Sequence, residues 1–245
     1  MLAAVLVLGV GGVLLEQVFS ALGLNPSSSP ATSSAGFSRS SSSVSPTSPP
    51  PLNVIAAGDR SLMGLTDAGS KAAPPLPLSA GPDHPLSLTA FAGKVIVVTF
   101  FDEPCDDICP VMTSEMATAD AALGPLAGRV EFVTVDTDPL TVEQWPSSGQ
   151  LFGGRPAPSN WTFASGTLQE LNRAWMDYGI TVDVYRSSGR VTHNDRMYFI
   201  DPSGRLRYLS TPFANETSSG RYTLPAGTVA QWGQAIAGVA SGLLR

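Results

Sequence analysis

The chain contains two cysteines, Cys105 and Cys109, with three residues between them and Pro110 directly after. A spacing of four residues is about one helical turn, so both sulfurs can face the same side of a helix. An apolar run at residues 95–101 comes just before them and is typical of a strand. The helix N-terminus that follows would stabilise a thiolate. Such a pair of sulfurs suits Cu(I) binding or dithiol redox chemistry.

The spacing of the two cysteines leaves a metal site, a redox couple and a structural disulfide open. Two sulfurs one turn apart can form a disulfide if their Cα atoms come within about 6 Å. A bridge that closes so short a loop removes little chain entropy, which disfavours a purely structural role. Dedicated redox enzymes mostly have two residues between the cysteines. Asp106 and Asp107 raise the energy of adjacent thiolates unless a cation is present. Zinc is disfavoured because the sequence shows no evident fourth ligand.

Few other side chains could complete a metal site. The chain has two histidines, His84 and His193. His193 stands just before a predicted strand, whereas His84 lies in a turn next to Pro85 and is expected at the surface. Met112 and Met116 are near the cysteines, but their helical spacing predicts core residues rather than thioether ligands.

The hydrophobic periodicity predicts strands that alternate with helices. We expect strands at 94–101 and 130–135, two short strands within 76–88, and a hairpin at 196–209. The predicted helices carry these buried stripes: Met112, Met116, Ala119, Leu123 and Leu126; Leu168, Leu171, Trp175 and Tyr178; and Val229, Trp232, Ile236, Val239 and Leu243. A capping box at Thr167 opens the second of them. The pattern predicts an α/β, thioredoxin-like sandwich with a central mixed sheet flanked by helices.

Composition divides the chain into three parts. Residues 1–24 are almost uncharged and apolar, which predicts a hydrophobic helix that acts as a membrane anchor or signal segment. Residues 25–52 are rich in serine and proline and predict a disordered, flexible linker. Residues 53–245 form the globular domain. We therefore expect a single-pass cell-membrane protein whose soluble domain works near the membrane surface. The net charge of −6 argues against nucleic-acid binding.

Four stretches of the sequence resemble the Sco/SenC family of membrane-tethered, thioredoxin-fold proteins. Gly93 and Lys94 precede a strand and the Cys-x-x-x-Cys-Pro motif, and residues 133–136 match the end of the next strand. Residues 161–166, which lead to Tyr178-Gly179-Ile180, match the family's segment in which a tryptophan and a glycine precede a helix. His193 stands nine residues before Pro202, at the spacing of the family's copper-binding histidine. The likeness covers residues 76–209 and the anchor–linker layout, and it implies that the soluble domain lies on the extracytoplasmic face of the membrane, periplasmic or outer.

The resemblance implies that Cys105, Cys109 and His193 bind one copper ion, as Cu(I) or Cu(II). It also implies delivery of copper, or of reducing equivalents, to the binuclear copper site of cytochrome c oxidase. The expected partner is the copper-bearing subunit of that oxidase or another copper chaperone. In the alternative, Cys105 and Cys109 are the catalytic dithiol of a thiol–disulfide oxidoreductase without a metal role. A disulfide-stapled binding domain is a third hypothesis.

The sequence departs from the family pattern at three places. Asp106 stands where proline is common, residues 135–139 lack the usual longer charged run, and residues 144–159 are unusually rich in glycine and proline. These differences do not change the copper ligands that the resemblance implies. They bear instead on how the protein would recognise a partner.

Overall fold

A computed structural model describes residues 55–102, 105, 107–185 and 187–245. The predicted hydrophobic helix at 1–24 and linker at 25–52 lie outside these residues. The helices are α1 (Ala57–Leu62), α2 (Cys109–Leu123), α3 (Ser148–Leu151), α4 (Leu168–Tyr178) and α5 (Thr228–Leu243), with short 3-10 helices at Leu88–Phe91 and Gly124–Arg129. The strands are β1 (Thr66–Ala72), β2 (Val95–Phe101), β3 (Val130–Asp136), β4 (Trp161–Ala164), β5 (Val182–Tyr185), β6 (Arg190–His193), β7 (Met197–Ile200), β8 (Arg205–Ser210), β9 (Asn215–Glu216) and β10 (Tyr222–Thr223). Among the described helices, none has the length and apolar character needed to cross a bilayer.

Six strands form one mixed sheet in the order β1-β8-β7-β2-β3-β4. The crossover from β2 through α2 makes β3 parallel to β2, and β4 is parallel to β3. β7 and β8 form an antiparallel hairpin that pairs with the other edge of β2. A βαβ unit joined to a ββα unit in this order is the predicted thioredoxin-like arrangement, extended by β1 and β4 at the two edges.

The central strand β2 is buried along its whole length because helices cover both faces of the sheet. Val95, Val97 and Phe101 pack with α2 and α5 on one face, and alternate residues such as Phe100 pack with α4 on the other. Met112 and Met116 are 1% and 0% exposed, which confirms that they are core residues. This sandwich fixes the end of β2 and the start of α2, where the cysteines lie.

Two predicted core positions are exposed. α2 ends at Gly124, whose φ of 51° a side-chain-bearing residue would rarely adopt, so Leu126 falls beyond the helical stripe and is 36% exposed. Leu168 is the first residue of α4 and is 44% exposed, whereas Leu171 is buried. The predicted capping box at the start of α4 forms, with Thr167 accepting from the backbone N–H of Glu170.

The two strands predicted within 76–88 do not form. Isolated bridges join Ser79 to Pro85 and to Ser165 instead. Prolines at 74, 75, 77 and 85 lack the N–H that a ladder needs, so pairing does not extend. His84 is exposed in this turn, as predicted. The hairpin of β5 with β6 was not predicted, since each strand has four residues and little apolar alternation.

The glycine- and proline-rich segment at 144–159 packs on the body of the domain. Trp145 donates its indole N–H to the carbonyl of Ser79 at 2.9 Å. Phe152 is 1% exposed and meets the ring of Trp161 edge-on, with 5.2 Å between ring centroids. The segment is therefore anchored by aromatic side chains.

Candidate metal centre

The two cysteines lie at the junction of β2 and α2 and are joined by a disulfide, with 5.9 Å between their Cα atoms. Cys109 is the first residue of α2, and its backbone N–H points at Sγ of Cys105 from 3.3 Å. Pro110 is accommodated in the first turn, where helical N–H groups have no carbonyl partner. Cys105 is partly exposed, while Cys109 is 3% exposed. Cys105 therefore offers the more accessible sulfur.

A carboxylate completes the immediate surroundings of the sulfurs. Asp102 follows β2 directly and is 8% exposed. A carboxylate oxygen of Asp102 and the two sulfurs all lie within 4.8 Å of one another. Asp107 lies on the other side, with its Oδ1 2.9 Å from Sγ of Cys105. Since a disulfide sulfur carries no proton, this last approach is a close contact rather than a hydrogen bond.

His193 reaches the site from the end of β6. Its backbone pairs with Val182 of β5, and the next residue, Asn194, ties the hairpin to the end of α4. The Asn194 side chain accepts from the N–H of Thr181 at 2.7 Å and donates to the carbonyl of Gly179 at 3.1 Å. The imidazole is buried, with its side chain 5% exposed. These contacts hold the ring at the edge of the site.

The imidazole faces the sulfurs across Asp102. Nε2 of His193 lies 3.5 Å from Oδ1 of Asp102, and Nδ1 lies 3.9 Å from Oδ1 of Asp195. Among the described residues, His193 is not within the group formed by the two sulfurs and Asp102. Cys105 and His193 nevertheless line the same cavity of about 470 Å³, whose walls also include Glu216 and Tyr222 of the small β9–β10 hairpin.

Negative charge is concentrated around this cavity. Burial is the main cause that raises the pKa of Asp195 to about 6. The charge of His193 lowers this pKa, whereas the nearby carboxylates of Asp107 and Asp102 raise it further. Burial lowers the pKa of His193, but Asp102 and Asp195 together raise it above its ordinary value. The carboxylates of Asp102, Asp107 and Asp195, beside an imidazole whose pKa is raised, form an environment that favours a cation.

A family model described as SCO1/SenC matches residues 68–220, which is more than half of the chain and includes both cysteines and His193. The chain belongs to the SCO1/SenC family. The resemblance inferred from the four sequence stretches is thereby confirmed. No curated protein matches the chain by sequence.

Several solved structures are similar to this SCO1/SenC domain. The copper-bound ScoI of Bradyrhizobium japonicum has 16% identity and a TM-score of 0.50, and the match covers 70% of this chain and 98% of that one. The apo Sco1 of Thermus thermophilus has 22% identity and a TM-score of 0.48, over 69% of this chain and 91% of that one. Copper-bound yeast Sco1 has 19% identity and a TM-score of 0.43, and the match covers 56% of this chain and 77% of that one.

In this SCO1/SenC chain the structure brings three of the relevant side chains into one cavity, namely Cys105, His193 and Asp102. Sequence reasoning identified the first two and missed Asp102. Asp102 directly follows the buried strand β2 that leads into the cysteine pair, a position that the sequence alone does not distinguish. The donor chemistry fits copper, because two sulfurs and an imidazole are ligands that copper accepts and the site is negatively charged.

Proposed function

We propose that this protein binds one copper ion through Cys105, Cys109 and His193 and delivers it to the binuclear copper site of cytochrome c oxidase. Membership of the SCO1/SenC family and the copper-bound states of the yeast and Bradyrhizobium proteins support this proposal. The observation that carries it is geometric: the disulfide-linked cysteine pair lies at a helix N-terminus, and its Cys105 lines the same cavity as His193.

The chain's own residues would perform three tasks. The reduced cysteines would lose their protons and hold the ion as thiolates, with the N–H groups at the start of α2 pointing toward them. Asn194 would hold the hairpin that supplies the imidazole. The partly exposed Cys105 would be the first ligand that a partner's ligand replaces, while buried Cys109 would be released last. The copper ion is the cargo, and the protein's residues control where the ion is released.

We also propose that residues 1–24 anchor the protein and residues 25–52 tether the domain at the extracytoplasmic face. The almost uncharged, apolar composition of the first segment supports the anchor. Membrane fractionation and protease accessibility in intact cells test it. Recovery of the chain only in the soluble cytoplasmic fraction would contradict it.

Copper binding is tested by anaerobic titration of the reduced protein with Cu(I) against a competing chelator. We expect one equivalent to bind to the parent. His193→Ala should weaken binding by more than the roughly 10–100-fold that loss of an outer-shell partner costs. His84→Ala is the matched control, because His84 is exposed in a turn and does not line the cavity, and it should bind like the parent. A parent that takes up no copper, or a His193→Ala variant that binds equally well, contradicts the proposal.

A second candidate function, thiol–disulfide exchange, is favoured by the disulfide itself. Cys105 would attack a partner disulfide and Cys109 would resolve the mixed disulfide, so the partner leaves as a dithiol and the pair is oxidised. Cys109→Ser should then trap a mixed disulfide through Cys105, and His193→Ala should leave exchange unchanged. If reduced protein transfers no electrons to disulfide substrates, this candidate is wrong and copper binding is unaffected.

A further inference from the structure

We propose that Asp102 is a fourth metal ligand, which turns the Cys105, Cys109 and His193 set into a four-donor site that also accepts divalent ions. This inference deepens the proposed function, since it rests on the same site. The sequence alone disfavours zinc because it shows no evident fourth ligand, whereas the structure places Asp102 beside the other three donors.

The position of Asp102 between the other donors is the main observation. Its carboxylate lies within 4.8 Å of both sulfurs, and its Oδ1 lies 3.5 Å from Nε2 of His193. It therefore spans the gap between the thiol pair and the imidazole. The residue is 8% exposed, so its carboxylate is held among these donors rather than in solvent.

The local structure holds Asp102 at this point. β2 is buried along its length and ends at Phe101, one residue earlier. The carbonyl of Asp102 accepts the N–H of Cys105 at 3.3 Å, which turns the chain toward α2. The backbone that carries the carboxylate is thus fixed relative to the strand and to the first cysteine, which lowers the ordering cost of binding a metal.

The chemistry of the added donor sets a specific expectation. Cu(I) prefers soft sulfur and gains little from a carboxylate oxygen. Divalent ions such as Co²⁺ and Zn²⁺ accept oxygen, nitrogen and sulfur together, and four donors complete a tetrahedral site. Asp102 should therefore matter for divalent ions and hardly matter for Cu(I).

Titration of the reduced full-length protein with Co²⁺ under anaerobic conditions tests this expectation, with the visible bands of tetrahedral Co²⁺ as the readout. Asp102→Asn should weaken Co²⁺ binding by more than the roughly 10–100-fold that loss of an outer-shell partner costs and should reduce those bands, while Cu(I) affinity stays close to that of the parent. Asp107→Asn is the matched control, because it also removes one negative charge beside Cys105. It should affect Co²⁺ binding much less than Asp102→Asn.

Equal losses of Co²⁺ affinity in the two variants would show a general charge effect and overturn the assignment. So would a parallel loss of Cu(I) affinity in Asp102→Asn. A second measurement needs only the parent: the Co²⁺ EPR signal in ¹⁷O-enriched water should show no broadening if Asp102 fills the fourth position, and broadening by bound solvent would overturn the proposal. Failure of the parent to bind Cu(I) would contradict the proposed function instead, and these Co²⁺ measurements would still decide the role of Asp102.

Discussion

Glu115 should make the protein less stable as the pH rises through neutrality. It lies in α2 and is 1% exposed, and within the described part of the chain its Oε2 has no hydrogen-bond partner. Burial raises the pKa of this carboxyl from 4.5 to about 8. The unfolded chain therefore loses this proton at a lower pH than the folded domain does, which favours unfolding between those two values.

The magnitude follows from the separation of the two pKa values. Each pH unit above 4.5 costs the folded state roughly 1.4 kcal/mol until the folded pKa is reached. With a folded pKa of about 8, the cost is about 3 kcal/mol at pH 7 and about 5 kcal/mol above pH 8. Glu115→Gln keeps the shape of the side chain and removes the ionisation. The variant should therefore gain stability over the parent as the pH rises, by these amounts.

The assay is urea unfolding of the oxidised protein at intervals from pH 4 to pH 8, with the difference between variant and parent plotted against pH. Other groups contribute to both curves, among them Asp136, whose pKa burial raises to about 7. Their contributions cancel in the difference. Glu143→Gln, which changes an exposed carboxylate, is the control and should give a difference close to zero. A difference for Glu115→Gln that does not change with pH would refute the reasoning.

Three further predictions concern packing and position. Gly233→Ala would place a Cβ 2.4 Å from Cβ of Thr118, where α5 crosses α2, and should cost about 1–3 kcal/mol in urea unfolding. Gly128→Ala, with open space around the new methyl, should cost much less. Asn194→Ala removes both side-chain hydrogen bonds that hold the hairpin carrying His193. The variant should bind Cu(I) about 10-fold more weakly, and unchanged Cu(I) affinity in the chelator competition would contradict this. Asp201→Asn breaks the buried ion pair with Arg207 at 2.8 Å. Because hydrogen bonds from Ser203 and Arg207 outweigh burial and lower the pKa of Asp201, the loss of stability should be full at pH 7 and should fade as the pH drops below about 4.

The parts of the fold that follow a strong period could be predicted from the sequence. β2 is a continuous apolar run, and α2 and α5 carry long stripes, so their existence and buried faces needed no tertiary information. The ends were less predictable, as Leu126 shows, because one glycine conformation ended the helix before the stripe did. β4, β5 and β6 each have four residues, which is too short for an alternation of apolar and polar residues to be recognised in the sequence.

The candidate site divides in the same way. Cys105 and Cys109 form a local motif, and His193 was identified by its spacing to a turn in a known family. Asp102 could not be identified as a partner of His193, because 91 residues separate them and only the folded sheet brings the two side chains together. A single aspartate after a strand has no distinctive pattern of its own.

The charges beside the sulfurs favour the copper role over the dithiol role. The start of α2 stabilises a thiolate by about 0.3–1 kcal/mol, but the Asp107 carboxylate lies 2.9 Å from Sγ of Cys105. Two like charges about 4 Å apart repel by about 4 kcal/mol at an effective dielectric constant of about 20, so the carboxylates outweigh the helix. Attack on a disulfide needs a free thiolate, which this arrangement opposes. A bound cation neutralises the thiolates and the carboxylates together, and the same residues that hinder exchange then stabilise the metal-loaded form.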